Sequence, residues 1–177
     1  MVQLLWERLY FAFTNFISPN QLKRLLLPIL VLIALLLFIG FKSNFLRIQI
    51  INETWKEVVK IAAFSFVMPA LSEEILFRVL LLPHPFENPS MKTKMLWIII
   101  GIIIFIVYHP IQGMTWNPSG YYVFVQPIFL VLAALLGVIC TIAYLGTGSI
   151  WLPSVIHWLA VVIWLVLLGG FSKFVTH

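Results

Sequence analysis

The sequence predicts an all-α membrane protein: a polytopic transmembrane helical bundle of about five spans, preceded by an N-terminal interfacial helix. Three observations carry this. Of 177 residues, 62% are hydrophobic and only 10% are charged, against roughly 25% charged in an ordinary soluble domain, so polar groups cannot cover a globular surface. Mean hydropathy is +1.07, and the apolar residues gather in runs near the roughly 20 needed to cross a bilayer. The connections between runs are short. Eleven Lys and Arg against 6 acidic residues give a net charge of +5, but these charges are scattered and form no contiguous basic face, which excludes nucleic-acid binding. Every acidic residue is Glu; the chain contains no Asp.

Taken in order, residues 1–20 do not read as a cleavable signal, because Glu7, Arg8, Thr14 and Asn15 interrupt what would be its apolar region. Trp6, Leu9, Tyr10, Phe13 and Phe16 can share one helical face, which describes an amphipathic helix lying in the headgroup zone. Residues 21–57 hold the first span, LLLPILVLIALLLFIGF between Arg24 and Lys42, and a mixed surface connection. Residues 58–170 form the expected membrane core, with spans at about 58–82, 95–109, 127–146 and 150–168, and 171–177 form a short tail. Pro83, His84, Pro85, Asn88 and Pro89 signal a turn, in which His84 and Glu87, like His177 at the C-terminus, are expected to be solvated. The uncharged stretch 110–126 reads as a re-entrant or interfacial loop packed against protein. Basic residues fall on both sides of the spans, so the positive-inside rule discriminates little; the N-terminus is assigned to the cytoplasmic side of a bacterial inner membrane.

The span at 58–82 is unusual in carrying Glu73, Glu74 and Arg78. An ionised group at the bilayer centre costs roughly 2.5–3.5 kcal/mol even on lenient scales. Glu74 and Arg78 are four residues apart, one turn along the same face, and can pair. Glu73 points about 100° away with nothing local to neutralise it, which describes a buried general base. Two histidines lie in other spans. His109 follows Phe105 by one turn, and His157 sits within SVIHWLAVV. At 1.5 Å per residue, Glu73 is about 13 Å and His157 about 10 Å from one membrane side, with His109 about 20 Å from it, a difference that tilt absorbs. The three can meet in one cavity. Other readings stay open at this point: an ion-pair lock for the Glu-Glu-Arg cluster, a helix-capping His109, a core His157, a zinc set of one Glu and two His, or a proton relay in a small transporter. Trp151, Trp158 and Trp164 read as packing anchors. Cys140, the single cysteine, sits in an apolar run where no neighbouring polar group helps the thiol ionise, and reads as inert.

The ordered pattern EEILFR (73–78) and FIVYH (105–109) on consecutive apolar segments resembles the EExxxR and FxxxH motifs of the CAAX protease and bacteriocin-processing (CPBP, ABI) family of intramembrane proteases. GSIWLPSVIHW (148–158) is similar to the region around that family's second histidine. The resemblance implies metal-independent, glutamate-type endopeptidase chemistry without a cofactor, on a membrane-embedded or lipid-modified protein substrate. Glu73 would activate water with help from His109, His157 would polarise the scissile carbonyl, and Glu74, Arg78 and Phe105 would support them. The family commonly places Asn four residues after the second histidine; here Val161 stands there, which implies either another donor or a catalytically weak binding or immunity protein. Other intramembrane protease chemistries lack their signatures: no Asp pair, no HExxH, and no GxSG turn.

Overall fold

The computed structural model describes residues 2–175; His177, expected in solvent, lies outside them. The protein is all-α, with no strand among the described residues. Its helices are α1 (Val2–Thr14), α2 (Pro19–Lys42), α3 (Trp55–Ser65), α4 (residues 69–80), α5 (Met91–Met114), the short α6 (Tyr121–Phe124), α7 (Pro127–Thr147), α8 (Trp151–Leu167) and α9 (Gly170–Val175). Among the described residues α2, α5 and α7 are long and apolar enough to cross a membrane, with the 17-residue α8 as a shorter apolar helix. In the bundle α7 is central: α2, α5 and α8 all pack on it, and α3 packs on α8.

The expected span at 58–82 is broken in two. Met68 adopts φ −142°, ψ 113°, outside the helical region, because the residue before a proline is pushed towards extended backbone, and Pro69 follows it. Beyond the break, α4 is wound with wide turns on either side of Ser72–Glu74, a feature often found at functional sites. The third span differs in the opposite sense: His109 does not end it. The helix runs on through Pro110 to Met114, with Phe105, His109, Gln112 and Gly113 buried along one side. Packing of that side outweighs the one hydrogen bond that proline removes.

The stretch 110–126, expected as a loop packed against protein, is part helix and only partly covered: its first residues continue α5, Met114, Trp116 and Tyr122 are exposed, and Val123 and Phe124 join Phe45, Leu46 and Leu132 in an apolar cluster. The connection expected to lie along the surface is therefore partly buried, through Phe45 and Leu46. Its next residues cap α8: the N–H groups of Arg47, Gln49 and Ile51 donate to the carbonyls of Leu168, Leu167 and Val166, groups that a helix end leaves unsatisfied.

Helix α1 has two functional faces. Trp6 and Tyr10 remain exposed, as an interfacial helix requires, while Ala12 is fully buried with Leu9 and Phe13 against Val79, Leu82, Tyr144 and Ile150; the five residues expected on one face are therefore divided, and Phe16 lies beyond the end of the helix at Thr14. The Ala12 carbonyl accepts the Ile150 N–H at 2.9 Å, and that of Phe13 accepts from Trp151 Nε1 at 3.0 Å. This docking corrects the reading of the 83–89 turn as solvated. Arg8 holds Glu87 through two hydrogen bonds of 2.7 and 2.8 Å, and His84 is buried with its Nε2–H donating to Gly148 O at 2.9 Å.

Candidate active site

Helix α4 brings Glu73, Glu74 and Arg78 into the bundle interior, each no more than 3% exposed. The predicted one-turn pair is present, with Arg78 Nε 3.1 Å from Glu74 Oε2. Arg78 also donates from Nη2 to the carbonyl of Gly137 on α7 at 3.0 Å, and its guanidinium lies over the Phe105 ring at 4.7 Å. That approach depends on Gly137: a Cβ there would stand 3.2 Å from Phe105 and 3.4 Å from Arg78 Nη2.

Glu74 has a second partner that spacing along the chain does not reveal. His157 Nδ1–H on α8 donates to Glu74 Oε1 at 2.8 Å. The carboxylate between a guanidinium and an imidazole locks α4 to α8 and orients the ring. His157 Nε2 is left 3.9 Å from Glu73 Oε2, too far for a direct hydrogen bond and a separation at which a bridging water is the first thing to ask about. Glu73 Oε2 has no hydrogen-bond partner among the described residues. On α5, His109 Nδ1–H donates to Phe105 O at 2.8 Å, one turn back, so Nε2 of the neutral ring is an acceptor. Phe105 stands between the groups: its ring contacts Arg78 on one side and packs edge-on against His109.

Glu73, Phe105, His109 and His157 line one cavity of about 890 Å³. Its walls are mostly apolar side chains from α2, α3, α5, α7 and α8, and it extends towards the membrane side of Phe45, Asn117, Phe124 and Phe174. Val161 lines it too and offers no donor. Three residues at the site escaped sequence reading. Gln112 lines the cavity one turn beyond His109, Gly137 admits Arg78 and Phe105, and Cys140 lies beside Glu74 and His157, with one ligand atom from each within 4.8 Å of the others. Cys140 therefore does have polar neighbours, but they come from other helices. Arg78 already balances Glu74 in that cluster, so a cation added there would meet a guanidinium on the same carboxylate.

A helical bundle with long apolar helices and a Glu- and His-lined apolar cavity is an arrangement that an intramembrane hydrolase would need. Residues 54–163 match the family described as Type II CAAX prenyl endopeptidase Rce1-like, and the chain belongs to that family. Membership makes the protein an integral membrane endopeptidase of the CAAX protease group. No curated protein and no solved structure matches the chain. Helices α1 and α2 precede the matched residues, yet Leu36 and Leu37 of α2 contribute to the cavity wall.

Proposed function

We propose that this chain hydrolyses a peptide bond of a membrane-embedded or lipid-modified substrate by a metal-independent mechanism in which Glu73 activates water. The observation that supports it is the Glu73 carboxylate oxygen, buried without a partner, in the same cavity as two imidazoles. Glu73 takes a proton from the water, and His109, held by Phe105 O, accepts the water's second hydrogen bond through Nε2. His157, fixed by Glu74, presents Nε2 to the reacting carbonyl and donates to it when that nitrogen is protonated. The apolar walls accommodate a lipid-like or hydrophobic substrate segment and exclude bulk water.

Purified protein in detergent should cleave a lipidated membrane peptide. Glu73→Gln should abolish cleavage while the variant stays helical and monodisperse; cleavage at the wild-type rate would end the proposal. A second reading, a binding or immunity protein that has lost turnover, is favoured by Val161. In that case neither Glu73→Gln nor His109→Ala changes the cellular phenotype.

A further inference from the structure

Besides Glu73 and the two imidazoles, the polar side chains of Ser65, Gln112, Asn117 and Ser119 and the indoles of Trp116 and Trp164 line the cavity; among these Trp164 Nε1 is buried without a partner. Asn117 Oδ1 accepts from Ser119 Oγ at 2.9 Å, and His157 Nδ1–H is committed to Glu74. Gln112 is different. It is more than nine-tenths buried, at 8% exposure, it lines the cavity with Glu73 and His109, and its side-chain amide has no hydrogen-bond partner among the described residues. Unlike Glu73 Oε2, the amide is not among the fully enclosed polar atoms, so it stays open to a group that enters the cavity and can offset its desolvation. Its backbone is held firmly, because the Gln112 carbonyl accepts N–H groups from Thr115 at 3.3 Å and Asn117 at 2.9 Å. Residues three apart on a helix have Cβ atoms about 5–6 Å apart, so the amide reaches groups beside the His109 ring.

We infer that Gln112 is a catalytic residue whose Nε2–H donates to the carbonyl oxygen of the scissile amide. This inference rests on the peptidase reading above. In the addition step, water loses a proton to Glu73, its oxygen bonds to the carbonyl carbon, and the π pair moves to the carbonyl oxygen, where Gln112 receives the negative charge. When the C=O re-forms, the C–N bond breaks and the leaving amine takes the proton that Glu73 had accepted. A glutamine amide carries its donor hydrogens at every working pH, whereas His157 offers a donor at Nε2 only when doubly protonated. Val161 offers none, and among the neutral donors that line the cavity Gln112 is the one a single turn from His109, whereas the unpartnered Trp164 Nε1 belongs to a residue two turns beyond His157 on α8.

Two measurements on the full chain in detergent test this. Gln112→Met keeps an unbranched side chain without a donor, and Gln112→Glu keeps the shape but only acceptors. Each is checked for helicity and monodispersity. With a lipidated peptide, kcat should fall about 100-fold or more while KM stays within about threefold, the loss expected when one oxyanion donor is removed. An unchanged kcat, or a loss confined to KM, overturns the inference. The second measurement needs no turnover: wild type should bind a peptide aldehyde, whose hydrate imitates the tetrahedral species, more tightly than the matching alcohol. Gln112→Met should lose that preference by at least tenfold while still binding the alcohol. Equal preference in the variant, or none in wild type, overturns the assignment. Cleavage by Glu73→Gln defeats the glutamate reading alone and leaves the aldehyde comparison to decide on Gln112.

Discussion

Glu73 and Glu74 are neighbours with opposite circumstances. Glu74 is bound by Arg78 and His157, whereas Glu73 Oε2 is unpartnered. Removing one charge from a buried pair leaves the other uncompensated and costs about 3–5 kcal/mol. Glu74→Gln should therefore lower the thermal midpoint in detergent markedly, and Glu73→Gln much less. Equal shifts would show that the two carboxylates are not divided between bracing and chemistry. The Glu74–Arg78 pair was legible from an i,i+4 spacing. The tie to His157 was not, since 83 residues separate the partners and no local periodicity encodes a contact between α4 and α8. Gln112 was invisible for a related reason: a lone glutamine near a predicted helix end carries no signal until the helix is seen to continue and bury it.

At the scale of elements, two junctions decide whether the site is assembled. Gly137 lets α7 approach Phe105 and Arg78, and a branched side chain has nowhere to go at 3.2 Å. Gly137→Val should reduce cleavage and thermal stability together, and retention of both would show that α7 yields there. The second junction docks α1. Gly148 ends α7 at φ 66°, a left-handed conformation that costs about 1–2 kcal/mol for a residue with a Cβ, and its carbonyl receives His84. The His84 ring also accepts the Phe86 N–H through Nδ1 at 3.2 Å, so both nitrogens are used by the neutral ring.

Burial holds His84 below its ordinary value of 6.5. For Glu87, burial pushes the carboxyl up, but hydrogen bonds from Arg8 and from the His84 N–H outweigh it and leave it below 4.5. Both shifts have the same sign for docking. A group whose pKa is depressed by docking contributes stability above its undocked pKa and loses it as pH falls towards the docked one. The His84 contribution is thus full above about pH 6.5 and declines below it, and that of Glu87 declines below about pH 4.5. Backbone amides of α1 should exchange faster at pH 5 than at pH 7.5 after correction for intrinsic rates. Equal protection at both would mean that His84 does not latch the helix. That His84 and Glu87 read as solvated in a turn is understandable, because the turn is covered by a helix more than 70 residues earlier in the chain.

At the scale of the whole molecule, the expected five crossings set which connections share a membrane face. Five crossings, by α2, α3 with α4, α5, α7 and α8, would place residues 15–18, 83–90 and 148–150 on one face and residues 43–54, 115–126 and 168–175 on the other. The single native cysteine, Cys140, is buried, so introduced cysteines can be labelled selectively. Ser18→Cys and Ser90→Cys should react with an impermeant reagent from one side of sealed vesicles, and Glu53→Cys and Ser119→Cys only from the other. Labelling of all four from one side would overturn this arrangement and, with it, the depth of the site.

Composition and run length settled the class of protein, because the low fraction of charge and the apolar stretches leave a bilayer as the one solvent that suits them. The placement of Glu73, Glu74 and Arg78 within a span was equally visible, since a charge in such a run stands out wherever the chain goes. Folding decided the rest: which glutamate is bound and which is left unpartnered, that a glutamine joins the cavity, and that the N-terminal helix seals the turn at His84. These follow from contacts between helices distant in sequence, and helix-to-helix packing depends on shape across the whole bundle rather than on any repeat within one segment.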